Sequence, residues 1–372
     1  MKLTAKVKLQ PTPEQHGVLL QTLETANAAC NDISQQAWAS QTFQQYPLHH
    51  LAYHAVRERY GLSAQMAVRA IGKVSDAYKL DKRTRRTFQP RGAFPYDDHI
   101  LSFRTDEQMV SIWTLEGRQR MPYLCGERQR KLLEGDRGEA DLCYIGGEFY
   151  LFVACEVETP APEDVGGFLG IDLGIVNLAA DSDGQHYSGE QVEDQRRKYQ
   201  HRRRNLQRKG TRAAKRKLRQ IAGKQQRYQT DTNHRISKRI VQTAQDTGRG
   251  IALEDLKGIR ERVTVRRKQR ARHANWAFFQ LRTFVEYKAA LAGVPVVAVD
   301  PRNTSRTCPV CGCVDKRNRP SQDTFSCVSC GYSANADTTA AANIAARAVV
   351  NQPNGLIAQG SAAQAAATSF PL

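Results

Sequence analysis

Residues 167–180 read GFLGIDLGIVNLAA, an apolar run that contains one carboxylate, Asp172, between two glycines. The run predicts a buried strand at about 168–173. A charge inside a buried strand costs several kcal/mol unless an opposite charge compensates it. Asp172 therefore has a positive partner, or the stretch is not a buried strand. Gly170 and Gly174 predict room beside it for a metal ion or a nucleic-acid backbone.

Two further acids occupy similar positions. Glu254 lies at the end of the apolar strand GIALED at 250–255, and Asp337 opens an alanine-rich helix predicted at about 337–350. Carboxylates from separate elements that converge can hold Mg²⁺, and two such ions about 4 Å apart can clamp both oxygens of a phosphodiester displacement. Each acid alone has an ordinary alternative, such as an ion pair with a nearby arginine or a favourable helix N-terminus.

The segments around these acids alternate strands with helices. A hairpin turns at Asp183-Gly184, basic helices are predicted from about 190 to 245, a basic loop covers 257–272, and a helix over about 275–292 precedes the strand VPVVAVD. This alternation predicts an α/β layer domain. The proline- and glycine-rich stretch ETPAPEDVGG at 158–167 predicts the domain boundary before it.

The residues before this boundary have a different sequence pattern. A strand opens the chain, helical patterning follows to about Tyr78, and short alternating runs fill residues 88–160. This order predicts a small β-barrel whose first strand is N-terminal and which is interrupted by a helical insertion.

Four of the nine cysteines form two matched pairs near the C-terminus. Cys308, Cys311, Cys327 and Cys330 have the spacing C-x2-C-x15-C-x2-C, which suits one tetrahedral, structural Zn²⁺. Each pair is followed by a glycine, which suits a tight turn near the sulfurs. A redox pair is the alternative, and the presence of two matched pairs argues against it. Cys313 has no partner pair and is left outside the ligand set.

The other isolated cysteines lie in apolar contexts, and we predict that they are reduced core residues. They are Cys30, Cys125, Cys143 and Cys155.

The formal net charge of +18 is concentrated in one segment. Residues 196–227 contain 15 Lys or Arg and no Asp or Glu. A charge run is often only a solvated helix face, but this many uncompensated cations favour contact with nucleic acid. No apolar run approaches a membrane span, and the N-terminal sequence lacks the apolar core of a signal peptide, which predicts a soluble intracellular protein.

The predicted nucleic-acid contacts lie in three segments. They are Arg69, Lys73 and Tyr78 in the helical insertion, Arg196, Arg197, Arg202, Arg203, Arg204, Arg208, Lys209, Arg212, Lys215 and Arg216 in the basic helices, and Arg266 and Arg267 in the basic loop.

Taken together, the motifs resemble a known family. GIDLGIVNLAA, IALEDLKGIR, the cysteine pairs and NADTTAAANIA resemble the three split RuvC-like nuclease motifs of TnpB-type (OrfB) proteins of bacterial insertion sequences, which are relatives of the compact type V CRISPR effectors. KLQPTPEQ and SAQMAVRAIGKVSDAYK extend the resemblance, more loosely, to the N-terminal half.

The resemblance implies an α/β RNase H-like (RuvC) nuclease domain with a zinc ribbon insert, in which Asp172, Glu254 and Asp337 are catalytic and hold two Mg²⁺ ions. It also implies an RNA-guided DNA endonuclease that carries a guide RNA and cuts double-stranded DNA beside a short motif. We expect a monomer with its RNA in the prokaryotic cytoplasm, at the nucleoid. A nuclease-inactive, guide-dependent repressor and a CRISPR-associated effector remain alternatives.

The domain prediction follows from the motifs and this resemblance. It assigns 1–12 and 87–160 to a wedge-like β-barrel, 13–86 to a helical recognition insertion, 166–307 and 331–350 to the nuclease domain, 308–330 to the zinc ribbon and 351–372 to a disordered tail.

Overall fold

A computed structural model describes residues 1–256 and 278–350. The chain divides into two compact units, one of Met1–Glu158 and one that begins at Thr159. The division lies at the start of the proline- and glycine-rich stretch 158–167. No helix in the described residues combines the length and the apolar content that are needed to cross a membrane.

Residues 1–158 of the first unit form a sheet and four helices. Its elements are β1 (Lys2–Leu9), α1 (Pro13–Ala39), α2 (Gln45–Tyr60), α3 (Ala64–Leu80), β2 (Phe94–Tyr96), β3 (Leu101–Arg104), β4 (Met109–Thr114), β5 (Gly117–Leu124), α4 (Glu127–Glu134), β6 (Arg137–Ile145) and β7 (Glu148–Glu156). Three of the helices, α1, α2 and α3, lie between β1 and β2.

The predicted barrel is a seven-stranded antiparallel sheet that is nearly closed. The strand order is β2-β6-β7-β1-β5-β4-β3. The N-terminal strand β1 lies at the centre because it pairs with β7 along most of its length and with β5 at its end. The alternation seen in the sequence thus becomes one buried face and one outward face.

The first helix shows how local sequence starts an element. The side chain of Thr12 accepts a hydrogen bond from the backbone N–H of Gln15, and the Gln15 side chain bonds back to the Thr12 backbone, with Pro13 at the first helical position. This capping box satisfies backbone donors that the helix leaves free. Its apolar face then joins α2, α3 and the sheet in one core.

The second unit is the predicted α/β layer domain. Its elements are β8 (Phe168–Asp172), β9 (Asn177–Asp181), β10 (His186–Ser188), α5 (Glu190–Lys209), α6 (Arg212–Ile221), α7 (Lys224–Asp246), β11 (Gly250–Glu254), α8 (Phe278–Leu291), β12 (Val296–Val299), a short 3₁₀ turn (Lys316–Asn318), β13 (Thr324–Ser326), β14 (Ser333–Asn335) and α9 (Ala336–Val350).

The main sheet has the order β10-β9-β8-β11-β12. β8, β11 and β12 are parallel, while β9 and β10 form the predicted antiparallel hairpin. Helices cover both faces: Leu169 and Ile171 of β8 pack with α7 and α8, and Phe168 packs with Ile344 and Ala348 of α9. Burial on both sides explains why the strand is a continuous apolar run.

The two glycines that flank Asp172 serve the packing of the chain itself. A Cβ atom at position 170 would lie 2.0 Å from the carbonyl oxygen of Ala341 and 2.7 Å from the amide nitrogen of Ala345. A Cβ atom at position 174 would lie 2.6 Å from the carbonyl oxygen of Asn177. The expectation of open space for metal or nucleic acid is therefore wrong at both positions, because backbone already fills it.

Candidate active site and zinc site

Asp172 and Glu254 leave the sheet side by side. β8 and β11 are parallel neighbours in which Ile171 pairs with Leu253. The next residue of each strand is the acid, so the register brings the two carboxylates to the same edge. Asp172 is the last residue of β8, and the four residues before it are buried, so the stretch is a buried strand, as predicted.

Asp337 reaches the same edge from the first turn of α9. The side-chain oxygen of Asn335 accepts hydrogen bonds from the backbone N–H groups of Asp337 at 2.9 Å and Thr338 at 3.1 Å, and so caps this helix. The Asp337 carboxylate is buried and held at both oxygens. Asn177 Nδ2 donates to Oδ2 at 2.9 Å, and Arg319 Nη2 donates to Oδ1 at 3.0 Å.

The three carboxylates repel one another at a site that is largely shielded from water. Burial raises the pKa of Asp172 to about 7, with further increases from the charges of Glu254 and Asp337 and an opposing effect of Arg319. Burial also raises the pKa of Glu254, which a hydrogen bond from Thr304 opposes. Acids that destabilise one another this way are typical of functional sites, and the donor set is one that Mg²⁺ prefers.

Sequence reasoning missed the neutral and basic side chains that hold these acids. Thr304 Oγ1 donates to Glu254 Oε1 at 2.5 Å. Asn343 Nδ2 donates to the carbonyl oxygens of Thr304 and Thr307, both at 2.8 Å, and so fixes that loop to α9. Asn177 and Asn343 lie inside the quoted motifs, so the motifs offered a signal for them. Arg319 and Thr304 lie outside the motifs and carried none.

The four predicted cysteines form one cluster. Their sulfur atoms all lie within 4.8 Å of one another, with Cys308 and Cys330 3.6 Å apart and Cys311 and Cys327 3.5 Å apart. The predicted glycine turns are confirmed, because Gly312 has φ +71° and Gly331 has φ +74°. Each glycine N–H donates at 3.0 Å to the carbonyl of the first cysteine of its pair.

The cysteine cluster is connected to the carboxylate site through packing. Cys308 and Cys327 share a small buried cluster with Phe325 and with Ala336, the residue before Asp337. Asn318 is fully buried there and donates to the backbone carbonyls of Arg306 at 2.9 Å and Cys313 at 3.0 Å.

The remaining cysteines divide into two groups. Cys30 and Cys155 are buried core residues, as predicted, whereas Cys125 and Cys143 are only half-buried.

The basic helices present most of their predicted contacts to solvent. α5 has no buried residue. Arg196 and Arg197 both pair with Glu193, at 2.6 and 3.2 Å. The exposed predicted residues are Arg197, Arg202, Arg203, Arg204, Arg208, Lys209, Arg212, Lys215 and Arg216. Arg266 and Arg267 lie outside the described residues.

The three predicted contacts in the helical insertion are engaged inside the first unit. Arg69 Nη1 donates to Glu139 Oε1 at 2.7 Å, and Lys73 Nζ donates to Asn27 Oδ1 at 2.6 Å. Tyr78 is fully buried, 4.5 Å from the ring of Phe43. Contact of the Tyr78 side chain with nucleic acid would require the ring to leave the core.

Two family models match two separate parts of the chain. The OrfB_IS605 model, described as "Probable transposase", matches residues 152–259, and the model "Cas12f1-like, TNB domain" matches residues 278–344. These matches include all three carboxylates and all four cysteines of the cluster.

Curated relatives and a solved structure match the chain as well. A CRISPR-associated endodeoxyribonuclease Cas12f1 from Sulfoacidibacillus thermotolerans is 36% identical over 199 residues, which are 49% of this chain and 46% of that protein. A TnpB-like protein of Methanocaldococcus jannaschii is 35% identical over 128 residues, 34% of this chain and 45% of that protein. The chain thus spans less than half the length of either relative.

The fold likeness covers more of the chain than the sequence likeness. The protein in a cryo-EM structure of a Cas12f1–sgRNA–target DNA complex superposes with a TM-score of 0.65 at 17% identity, over 90% of this chain and 83% of that one. At this identity the likeness concerns the fold. The family models and both relatives confirm the predicted resemblance: residues 152–259 and 278–344 are similar to sequences of TnpB-type proteins and of the related type V CRISPR effectors.

Proposed function

We propose that the protein is an RNA-guided, Mg²⁺-dependent DNA endonuclease with an RNase H-like (RuvC) domain. The observation that carries the proposal is the convergence of Asp172, Glu254 and Asp337 from β8, β11 and α9 at one edge of the sheet. The same unit contains exposed basic helices suited to phosphates. The retention of all three acids favours an enzyme over a repressor.

In this proposal Asp172, Glu254 and Asp337 would hold two Mg²⁺ ions. Such ions stabilise the negative charge that develops on the phosphate and its oxygens during hydrolysis. The chain itself orients the ligands: Thr304 holds one oxygen of Glu254, and Asn177 and Arg319 hold the two oxygens of Asp337. Such outer partners reduce the motion of a ligand and so favour binding of the ion.

The other parts take supporting roles in the proposal. The four cysteines would bind one structural Zn²⁺, because four thiolates close a tetrahedral shell. The basic helices and the first unit would hold a guide RNA and the target DNA. The relatives support these assignments, since one is named as an endodeoxyribonuclease and the solved complex contains an sgRNA and target DNA. The predicted wedge-like and recognition domains, and a place at the nucleoid, belong to the same proposal.

The test is a purification followed by a cleavage assay. The RNA that accompanies the protein is sequenced, and a plasmid with the matching target is incubated with the complex in Mg²⁺ or in EDTA. We expect one defined RNA and Mg²⁺-dependent cleavage that Asp172→Asn abolishes. Asp98→Asn is the matched control, because the Asp98 side chain is 90% exposed in the first unit.

Each negative result has a distinct meaning. If no defined RNA co-purifies with the protein, the proposal that an RNA guides it is wrong. Target binding without cleavage by the wild type identifies a repressor, and cleavage by Asp172→Asn at the wild-type rate shows that the proposed active site is wrong.

A further inference from the structure

The outward face of the sheet in the first unit carries two aromatic rings that are not part of the hydrophobic core. Tyr150 and Phe152 lie two residues apart on β7, so both side chains point to the same face. The alternate residues Phe149, Leu151 and Val153 point inward and are buried. Tyr150 and Phe152 are only half-buried, and neither belongs to the core of this unit or to the side chains packed against it.

A lysine from the neighbouring strand lies over both rings. Lys6 of β1 is the cross-strand partner of Phe152. Its Nζ atom is 4.2 Å from the centroid of the Tyr150 ring and 5.3 Å from that of Phe152. Lys6 is exposed, and among the described residues no carboxylate lies within the 4.0 Å of an ion pair. Its charge is therefore held beside two aromatic faces without an acidic partner.

The neighbours of this group define its orientation. Lys8 is the cross-strand partner of Tyr150 and pairs with Glu148 at 3.2 Å. On the other side, β6 places Asp141 opposite Phe152. Because Glu148 balances the charge of Lys8, Lys6 supplies the uncompensated positive charge on the β1 side, while an acid lies toward β6, so a polyanionic backbone is favoured on the β1 side of the rings. We name Lys6, Tyr150 and Phe152 the β7 platform.

We propose that the β7 platform binds unpaired bases of single-stranded RNA. Aromatic side chains on a sheet face stack bases that are not engaged in pairing, and such stacking tolerates any base because every base has a π face. Lys6 would pair with a phosphate next to the stacked bases, which compensates the charge that no carboxylate balances. The inference rests on the proposed function, since that function supplies an RNA that stays with the protein.

The position of the rings makes the inference testable without unfolding the protein. Because Tyr150 and Phe152 lie outside the core, we expect the double variant Tyr150→Ala/Phe152→Ala to unfold close to the wild-type temperature. The matched control is Tyr46→Ala, which removes a tyrosine ring that is 76% exposed on α2. Phe152→Tyr keeps an aromatic ring and tests stacking separately from size.

The experiment measures the affinity of the full chain, freed of co-purified RNA, for a short fluorescein-labelled single-stranded RNA of mixed sequence. Stacking is worth about 1–3 kcal/mol per base, so the double variant should lose about tenfold or more in affinity. Lys6→Gln should lower the salt dependence of binding, while Tyr46→Ala and Phe152→Tyr should bind as the wild type does. Affinity for a fully paired RNA duplex should stay within twofold in every variant.

Several results would overturn the β7 platform. One is wild-type affinity of the double variant at an unchanged unfolding temperature, and another is an equal loss for the duplex. An equal loss for single-stranded DNA would overturn the assignment to RNA. The failure of the proposed function is recognised separately, because it depends on plasmid cleavage and on Asp172→Asn, which lies in the other unit.

Discussion

At the scale of single residues, the site is defined by which groups touch each carboxylate. Asp337 has an amide donor on one oxygen and a guanidinium donor on the other, whereas Glu254 has the Thr304 hydroxyl. For Asp172, burial raises the pKa most, the charges of Glu254 and Asp337 raise it further, and the charge of Arg319 opposes them. Asp172 is therefore the acid whose ionisation depends most on a bound cation.

The raised pKa of Asp172 predicts a pH dependence of stability in EDTA. The folded-state pKa of about 7 lies above the ordinary value of 3.8. Between these values the folded protein binds a proton that the unfolded chain does not, so this residue lowers the free energy of unfolding as pH rises, by at most about 1.4 kcal/mol per pH unit. Urea unfolding at pH 5 and pH 8 should show a smaller decline for Asp172→Asn. An equal decline in Asp172→Asn and wild type would contradict the predicted shift.

The hydroxyl of Thr304 predicts an effect on metal affinity. Thr304→Val keeps the shape of the side chain and removes the donor to Glu254, so Glu254 loses the group that orients it. Changes in such outer partners typically cost about 10–100-fold in metal affinity or activity. We expect the Mg²⁺ concentration for half-maximal cleavage to rise about tenfold.

The control for this variant is Thr307→Val. Thr307 lies in the same loop, and its hydroxyl donates to the carbonyl of Asn303 at 2.8 Å rather than to an acid. An equal rise in both variants would mean that the loop, and not the hydrogen bond to Glu254, determines metal affinity.

At the scale of elements, the contact of α9 with β8 positions Asp337. The helix can approach the strand because Gly170 has no side chain. Gly170→Ala should lower the free energy of unfolding by about 1–3 kcal/mol or more, as overpacking does, and should reduce cleavage because α9 carries Asp337. Denaturant unfolding measures the first effect.

Gly166→Ala serves as the control for this prediction. A Cβ atom at position 166 would meet nothing within 4 Å, so stability should change little. Equal destabilisation by both substitutions would contradict the packing argument.

The packing of the cysteine cluster next to α9 predicts that the cluster also helps to position Asp337. Cys327→Ser should lower zinc content, measured by mass spectrometry of the purified protein, and should also lower cleavage, because the cluster packs against Ala336 beside the third acid. Cys313→Ser is the control, since Cys313 lies outside the ligand set. Full cleavage by a zinc-free protein would show that the ribbon does not position Asp337.

At the scale of the whole molecule, the surplus positive charge is distributed unevenly. The net charge of +18 is concentrated in helices that bury few residues. Arg202, Arg203 and Arg204 are exposed near the middle of α5. Their joint replacement by Gln should reduce the slope of log affinity for single-stranded RNA against log salt by about 0.7 per lost contact, or about 2 in total.

A control variant with the same change of net charge distinguishes the effect of where the removed charges lie from the effect of how many are removed. Gln at Arg59, Arg104 and Arg235 removes three exposed arginines that already pair with Asp32, Glu107 and Asp231. An equal change of slope in both triple variants would mean that total charge, rather than the surface of α5, determines RNA binding.

The features that the sequence by itself determined are those that depend on near neighbours. Apolar runs and alternation predicted β8, β11, the β9–β10 hairpin and a sheet in the first unit whose first strand is N-terminal. The two glycines after the cysteine pairs adopt the predicted positive φ angles. The three acids were identified from their order along the chain and from the family resemblance.

The tertiary structure alone decided the features that join distant residues. Asn177 and Asp337 are 160 residues apart, and neither their hydrogen bond nor the pairing of β8 with β11 follows from local periodicity. The role of Gly170 was predicted wrongly, because only the packed helix shows what lies above it. Local patterns determine which face of an element is buried, whereas strand register and helix packing determine which side chains come into contact. The candidate site depends on these contacts.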